Sequence, residues 1–562
     1  MAEPQVPQRE IRQWLSALTR GSRRWIQATV VAGSLAGLAT IGQMVLLAWI
    51  IHQGVIEEQP ASLLIPAFLG LLAALLLRAV FQGLQTRFAA RASGQVRRQA
   101  REQLRNHWQS QGPVALADAS AASLTREWLD HVEALHGYFA RFLPQMTLSL
   151  IVPLLILALV FWLDWLAGLF LLLSAPLIPL FMALVGMGAE KVNQQHFEVV
   201  SRLSGQFLDK IRGLTTLQLF GQTDSARETL RKRSDQYRRV TMKTLKVAFL
   251  SSAVLEFFSS VAIAVIAIYV GFGLLGYIDY GPSDQLTLFS GLLVLLLAPE
   301  FFQPLRTLSQ YYHDRASAMG AAAEILGRLN DTGETPSPTD RRLGRVSKNM
   351  IDLQGISVRY GDKDNRPVLE QVDLTLPRGY SVALTGPTGS GKSSLLHVMA
   401  GFLVPASGVA TVFGEAPGAK PFGWLGQKGF WIQGTWADNL RLTSPDASDE
   451  AIRQALGQVG LDQLVAGREQ GINSPLSESG QGLSGGQARR LSLARIFLAD
   501  YDLILLDEPT AGLDANSEQQ VINALKALHA KGKTLVFSTH HSALLSLADR
   551  VLVVENREVR DA

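Results

Sequence analysis

Hydrophobic positions along the chain fall into two regimes. In the first 330 residues they form long uncharged runs, whereas in the remainder they occur in short blocks between polar turns. A hydrocarbon core about 30 Å thick takes roughly 20 mostly apolar helical residues. Six runs reach that length and predict membrane-spanning helices at about 25–52, 60–87, 141–163, 165–189, 247–275 and 285–310. Asp164 alone separates the third from the fourth, which suits a tight turn between antiparallel spans. Ahead of the first run, Ile11–Arg24 carries Ile11, Trp14, Leu15 and Leu18 on one face and predicts a short amphipathic helix at the inner membrane surface. The connections at about 88–140 and 190–246 keep helical periodicity with polar faces, and are broken by Gln111-Gly112-Pro113 and Leu219-Phe220-Gly221. They predict helices that continue below the membrane and turn at their tips, where a soluble domain can touch them.

Charge supplies the orientation. Arg9, Arg12, Arg20, Arg23 and Arg24 precede the first span, seven arginines from Arg87 to Arg126 follow the second, and a denser basic series runs from Lys191 to Lys246 after the fourth. The turns at Glu57-Glu58, Asp164 and Asp279–Asp284 contain no Lys or Arg. The positive-inside rule therefore predicts cytoplasmic termini and cytoplasmic long connections. Residues 1–330 hold 29 Lys+Arg against 22 Asp+Glu, and residues 331–562 hold 23 against 26. A basic excess confined to such loops implies membrane lipid as a neighbour and no nucleic acid. With 48% hydrophobic and 18% charged residues the chain is neither disordered nor fibrous, and the absence of cysteine excludes disulfides and thiolate metal sites. No cleavable signal peptide is expected, because the first apolar run is too long and follows a polar, Arg-rich stretch.

The predicted organisation is a helical transmembrane domain over 1–325, a linker rich in Thr, Pro, Ser, Asp and Gly over 326–345, and an α/β domain over 346–562. Within the last, Val382–Leu384 leads into Gly386-Pro387-Thr388-Gly389-Ser390-Gly391-Lys392-Ser393 and then a helical stretch beginning at Ser394. This is Gly-x4-Gly-Lys-Ser in strand–loop–helix context. The glycines let backbone N–H groups close around phosphate oxygens, Lys392 neutralises the β- and γ-phosphates, and the Ser393 hydroxyl can ligate Mg²⁺. The pattern alone has about a 2% chance of arising in a chain this long. Its companions decide the matter. Leu503–Glu508 is an apolar strand ending in two carboxylates, of which Asp507 would complete the Mg²⁺ shell and Glu508 would orient or deprotonate the attacking water. Leu483-Ser484-Gly485-Gly486-Gln487 opens another helix and forms a second anion-binding edge.

That last pentapeptide, lying between a phosphate loop and an Asp-Glu strand, resembles the signature of ATP-binding cassette (ABC) ATPases. The resemblance implies ATP and Mg²⁺ as ligands and gives further roles. Tyr360 resembles the aromatic that stacks on adenine, Gln427 the glutamine that touches Mg²⁺ or water and links the site to the membrane domain, and His540 the switch histidine near the γ-phosphate. Ala511-Gly512-Leu513-Asp514 resembles the loop crossing the dimer interface, although its first residues depart from the commoner Ser-Ala. Two cassettes sandwich ATP in this family, so one cassette per chain implies a dimer, and six spans followed by a cassette resemble an exporter. Ending at Ala562, the cassette is short of the usual C-terminal tail, which puts tail-mediated regulation in doubt.

Ala175–Ala189, Val247–Phe258 and Leu297–Arg306 resemble the CydD side of the CydDC group of heterodimeric bacterial exporters. This implies a CydC-type partner in the inner membrane, a role in assembling cytochrome bd, and export of cysteine or glutathione to the periplasm, with haem as a competing cargo. A lipid or drug pump, or an ATP-gated assembly factor without cargo flux, are the other readings. Within the spans, Glu256 is placed about 15 Å from Val247, near the midplane, and is a candidate for the cargo path, where it could meet the ammonium of cysteine or glutathione; a charge paired to a neighbouring helix to fix packing is the equal alternative. Arg78, Tyr312 and His313 are weaker candidates, since snorkelling accounts better for the first and helix-face packing for the other two.

Overall fold

The computed structural model describes residues 6–117, 121–176, 210–211, 213–278, 281–330, 348–360, 367–427, 429–477, 480 and 482–562. It divides into two compact units, Met1–His107 with Ser120–Asp331, and Trp108–Ala119 with Thr332–Ala562.

Among its described residues the first unit is built of helices joined by turns and holds no strand. Among the described residues, five helices are long and apolar enough to cross a membrane: Gln8–Val55, Ala61–Leu116, Ser123–Leu163, Glu256–Leu274 and Leu288–Asn330. Of the expected fourth span, Trp165–Ser174 is helical and residues 177–189 lie outside the described residues, as does the expected helix Val192–Leu208. Asp164 makes the turn between the third and fourth apolar stretches in an extended conformation. Its Oδ1 caps the following helix by accepting from the amides of Leu166 and Ala167 at 2.9 and 3.0 Å, and Oδ2 accepts from Tyr269 Oη at 2.9 Å. A carboxylate that is 1% exposed among apolar helices is stabilised by these three donors.

Close helix approach comes from small residues. A Cβ added to Gly33 would lie 2.6 Å from Leu148 Cδ1, and one on Gly37 would lie 2.8 Å from Val152 Cγ2, so this Gly-x3-Gly face packs directly on helix Leu143–Leu163. Nearer the basic ends of the helices, Arg328 donates from Nη2 to the buried Glu127 Oε1 at 3.0 Å. This ties the end of the last helix to a π-helical turn, Glu127–His131.

Three expectations need correction here. The amphipathic N-terminal segment is not a separate surface helix: Gln8–Val55 is one continuous helix, with Ile11, Leu15 and Leu18 buried and Trp14 Nε1 donating to Gln103 Oε1 at 3.0 Å. Its apolar face meets protein, and no proline or turn interrupts the helix before the span. The last helix runs to Asn330, past the expected linker start at 326, while 331–347 lie outside the described residues. Finally, helix Thr223–Leu274 stops at Leu274, followed by Gly276 at φ 71°. Glu256 is eighteen residues from that end, about 27 Å at helical rise, and so sits toward the basic end of the span and not at its midplane.

The breakers in the long connections act as expected. Gly112 has φ 76° and ψ 172°, bending helix Ala61–Ala117, and the chain reverses at Gly221, φ 62°, between helices Leu214–Leu219 and Thr223–Leu274.

The described residues of the second unit form three sheets. Strands β1 (Met350–Val358), β2 (Leu369–Pro377) and β4 (Ser407–Val412) form an antiparallel sheet in the order β2-β1-β4. The main sheet has the order β11-β10-β3-β9-β8-β5, from β3 (Ser381–Thr385), β5 (Gly423–Leu425), β8 (Leu503–Asp507), β9 (Thr534–Ser538), β10 (Arg550–Glu555) and β11 (Glu558–Asp561). It is parallel except for the β10–β11 hairpin. Short β6 (Gly434–Thr435) and β7 (Pro475–Leu476) pair separately. Strands β8 and β9 are buried at every position, the mark of a parallel sheet covered on both faces. Their carboxyl ends, with those of β3 and β5, point to one edge, where such sheets bind ligands.

Candidate active site

Four of the sequence-derived elements meet at that edge because the strands preceding them are neighbours. The phosphate loop follows β3, Asp507 and Glu508 close β8, Ser538-Thr539-His540 closes β9, and Gln427 stands two residues beyond β5. Register fixes their height: Ser538 pairs with both Leu384 and Asp507, and Leu425 with Leu506.

In the loop, Gly386 has φ 136°, and a Cβ there would come 2.1 Å from the Val554 carbonyl oxygen. Gly391, at φ 108°, caps helix Lys392–Ala400 in a left-handed conformation. Pro387, Thr388 and Gly389 are exposed, whereas the Ser390 hydroxyl is buried without a partner among the described residues. Lys392 folds back, its Nζ donating to the carbonyls of Gly386 and Pro387 at 2.8 and 2.9 Å. Burial holds its pKa below the ordinary lysine value, and the carboxylates of Glu508 and Asp507 pull it back upward. Ser393 is half-buried, and the buried Ser394 hydroxyl lies 3.0 Å from Tyr360 Oη, anchoring that aromatic beside the loop.

The acidic pair is held by a residue that motif reading passed over. Ser538 Oγ donates to Asp507 Oδ1 at 2.7 Å and accepts from the Glu508 amide at 2.9 Å. Glu508 has φ 49°, a left-handed conformation uncommon for a residue with a side chain. Its Oε1 lies 3.7 Å from His540 Nε2. The neighbouring His541 turns to another carboxylate, its Nδ1 lying 3.1 Å from Glu518 Oε1. A second overlooked residue is Arg489, whose Nη1 reaches the carbonyls of Gly426 and Asp507 at 3.5 and 3.3 Å. It joins the residue before Gln427 to the catalytic strand, and burial keeps its pKa below the usual arginine range. Its two-residue spacing from Gln487 was the only signal in the sequence.

The signature residues are arranged differently. Ser484 caps helix Gly485–Leu498 in a capping box, accepting from the Gln487 amide at 3.2 Å while Gln487 Oε1 accepts from the Ser484 amide at 2.9 Å. Ser484 and Gly485 are exposed, and Gly486 is buried where a Cβ would lie 2.7 Å from Ser517 Oγ. Asp514 caps the neighbouring helix, Ala515–Ala530, by accepting from the Ser517 amide at 2.9 Å, and that hydrogen bond lowers its pKa. Leu483 packs partly buried against the core. Among the described residues, no hydrogen bond or ion pair connects Ser484–Gln487 with the phosphate loop.

The membrane-unit candidates are not one cluster. Arg78 donates to Gln43 Oε1 at 3.2 Å. Tyr312 Oη accepts from Arg315 Nη1 at 2.8 Å, His313 is exposed, and Glu256 Oε2 lies 3.3 Å from Arg306 Nη1.

A strand–loop–helix phosphate cradle with carboxylates on the adjoining strand, attached to a helical membrane unit, defines an ATP-driven transporter subunit. The chain belongs to the ABC transporter family: the ABC transporter transmembrane region matches residues 26–298 and the ABC transporter cassette matches residues 369–511. It binds ATP and couples its hydrolysis to transport. Within the family it is similar, over nearly its whole length, to CydD proteins. It is 37% identical over 98% of the chain to the glutathione/L-cysteine transport system ATP-binding/permease protein CydD of Haemophilus influenzae, covering 94% of that protein. The protein of the same name from Escherichia coli is also 37% identical over 98% of the chain, with 95% of its own length covered. The CydC counterpart of Bacillus subtilis is 30% identical over 84% of the chain and 82% of that protein.

Proposed function

We propose that this chain is one half of a heterodimeric exporter in the bacterial inner membrane. Its partner is a CydC-type half-transporter, and its cargo is cysteine or glutathione, moved from cytoplasm to periplasm in support of cytochrome bd assembly. The near full-length similarity to CydD proteins carries this reading. The exposed, capped signature helix supports the dimer, since its N-terminus is free to meet a phosphate held by another cassette.

In the proposed cycle Lys392 exchanges the carbonyls of Gly386 and Pro387 for the β- and γ-phosphates, and Tyr360 stacks on adenine. Ser393, Asp507 and Gln427 are hard oxygen donors at one sheet edge and fit Mg²⁺, which would neutralise the phosphates. Glu508 orients the attacking water and His540 contacts the γ-phosphate. Ser484–Gln487 and the Asp514 loop serve the site shared with the partner. Closure of the cassettes passes through the tips of the long connections, and the spans open outward.

A cargo titration of the ATPase of the co-purified pair tests the reading. Stimulation by cysteine or glutathione supports it; stimulation by haem, or by lipids and amphiphiles alone, replaces the cargo, and indifference to all of them favours an assembly factor.

A further inference from the structure

Arg306 and Glu256 meet between the last two long helices. Arg306 Nη1 lies 3.3 Å from Glu256 Oε2, and Nη2 donates to the buried Ser259 Oγ at 2.6 Å, while that hydroxyl donates to the Glu256 carbonyl at 3.0 Å. The Arg306 Nε is buried and has no acceptor among the described residues. Glu256 is eighteen residues from the hairpin end at Leu274, and Arg306 eighteen from the opposite end at Leu288. Each is thus about 27 Å along its helix, near the far edge of a hydrocarbon core about 30 Å thick. By the charge orientation that edge is the cytoplasmic one.

Three features make this more than a packing contact. The Glu256 side chain is 61% exposed whereas that of Arg306 is 22% exposed, so the carboxylate is open on one side while its guanidinium partner is largely enclosed. Arg306 also shares a helix face with Gln303, Gln310 and His313, which are exposed at spacings of three to four residues. Lastly, Pro304 removes a helical N–H just before Arg306, and Gln145 Nε2 donates to the Pro304 carbonyl at 2.9 Å, so the backbone beneath the guanidinium is both interrupted and held.

We infer that the Arg306–Glu256 pair is the recognition point for a zwitterionic α-amino acid or short peptide, taken up by exchange of ion-pair partners. The cargo carboxylate takes the Arg306 fork and its ammonium takes Glu256. A ligand of one charge would engage one member of the pair and leave the other without its counter-ion, the largely enclosed Arg306 most of all, whereas a zwitterion satisfies both at once. This rests on the thiol-export reading and specifies which charges of the cargo are read.

The test uses the co-purified pair of half-transporters in lipid nanodiscs, with ATPase half-saturation measured for glutathione, for its N-acetylated derivative, which lacks the ammonium, and for its diester, which lacks both carboxylates. The ratio between ligands is the readout, because it does not depend on how much protein is folded. The wild type is expected to favour glutathione over either derivative by about tenfold or more. Glu256→Gln should abolish discrimination against the N-acetylated derivative and keep that against the diester; Arg306→Gln should do the reverse; Glu256→Asp should keep both. A wild type that responds to glutathione while both variants discriminate as it does overturns the inference and leaves thiol export standing. A wild type that responds to no thiol overturns both.

Discussion

The hydroxyl of Ser538 donates to Oδ1 of Asp507 at 2.7 Å, and the same oxygen accepts the amide of Glu508, so one side chain from the neighbouring strand sets both carboxylates. Replacing Ser538 by alanine leaves Glu508 in its left-handed turn with one hydrogen bond fewer and frees the Asp507 carboxylate. The expected result is a loss of about ten- to a hundredfold in ATPase kcat, from one or two positioning hydrogen bonds, with ATP affinity changed far less. Steady-state ATPase kinetics and nucleotide binding on the same preparation check this; an equal loss in both would place Ser538 in folding.

The Gly33–Gly37 face predicts a steric limit. Valine at Gly33 would bring its Cβ to 2.6 Å from Cδ1 of the buried Leu148, which must shift to admit it. Overpacking of this kind costs about 1–3 kcal/mol, so Gly33→Val should lower the melting temperature of the detergent-solubilised protein by several degrees, and Leu148→Ala in the same chain should recover part of it.

At the other end of the membrane unit, Glu127 is 8% exposed and Arg328 24% exposed as side chains. Glu127→Ala leaves the guanidinium half-enclosed without its carboxylate and should cost roughly 2–3 kcal/mol, discounted from a fully buried pair because Arg328 reaches solvent. Glu127→Gln, which keeps an acceptor, should cost less. Thermal melts of the two variants, compared in one detergent, give the order.

His397 carries a pH dependence. Its ring stands 5.4 Å from that of Trp424 and 6.3 Å from that of Phe402, its Nδ1 is buried without a partner among the described residues, and burial lowers its pKa against a weaker upward pull from Asp507. The folded state therefore holds a neutral imidazole where the unfolded chain takes up a proton. This contribution is intact above the unfolded value of 6.5 and is lost progressively as pH falls below it. Melting temperature should drop between pH 7.5 and pH 5.5, and His397→Phe should flatten that drop.

Much of this was legible before any coordinates. Long apolar runs bounded by arginine are set by bilayer thickness, and the phosphate loop, the Asp-Glu strand and the signature are local in sequence because backbone geometry demands particular residues in order. What could not be read depends on pairing between distant segments. Ser538 matters only because β9 lies beside β8 in a register that sets it against Asp507. The N-terminal face of Ile11, Leu15 and Leu18 has the same pattern whether it meets lipid or protein, and in the fold it is buried against protein. A lone arginine near a span end is indistinguishable in sequence from a snorkelling residue; the 3.3 Å approach of Arg306 to Glu256 gives it meaning. Counted from Val247, where the apolar run begins, Glu256 falls near mid-span; counted from the helix end at Leu274 it is eighteen residues away, because the apolar run starts within a helix that begins at Thr223.

Flux through the assembled pair tests the central claim most directly. Inside-out membrane vesicles carrying this chain with its CydC-type partner should accumulate labelled glutathione or cysteine when ATP is added, and vesicles carrying Glu508→Gln should not, although they still bind ATP. Equal accumulation by the two, or none by the wild type while its ATPase runs, would contradict ATP-driven thiol export by this chain.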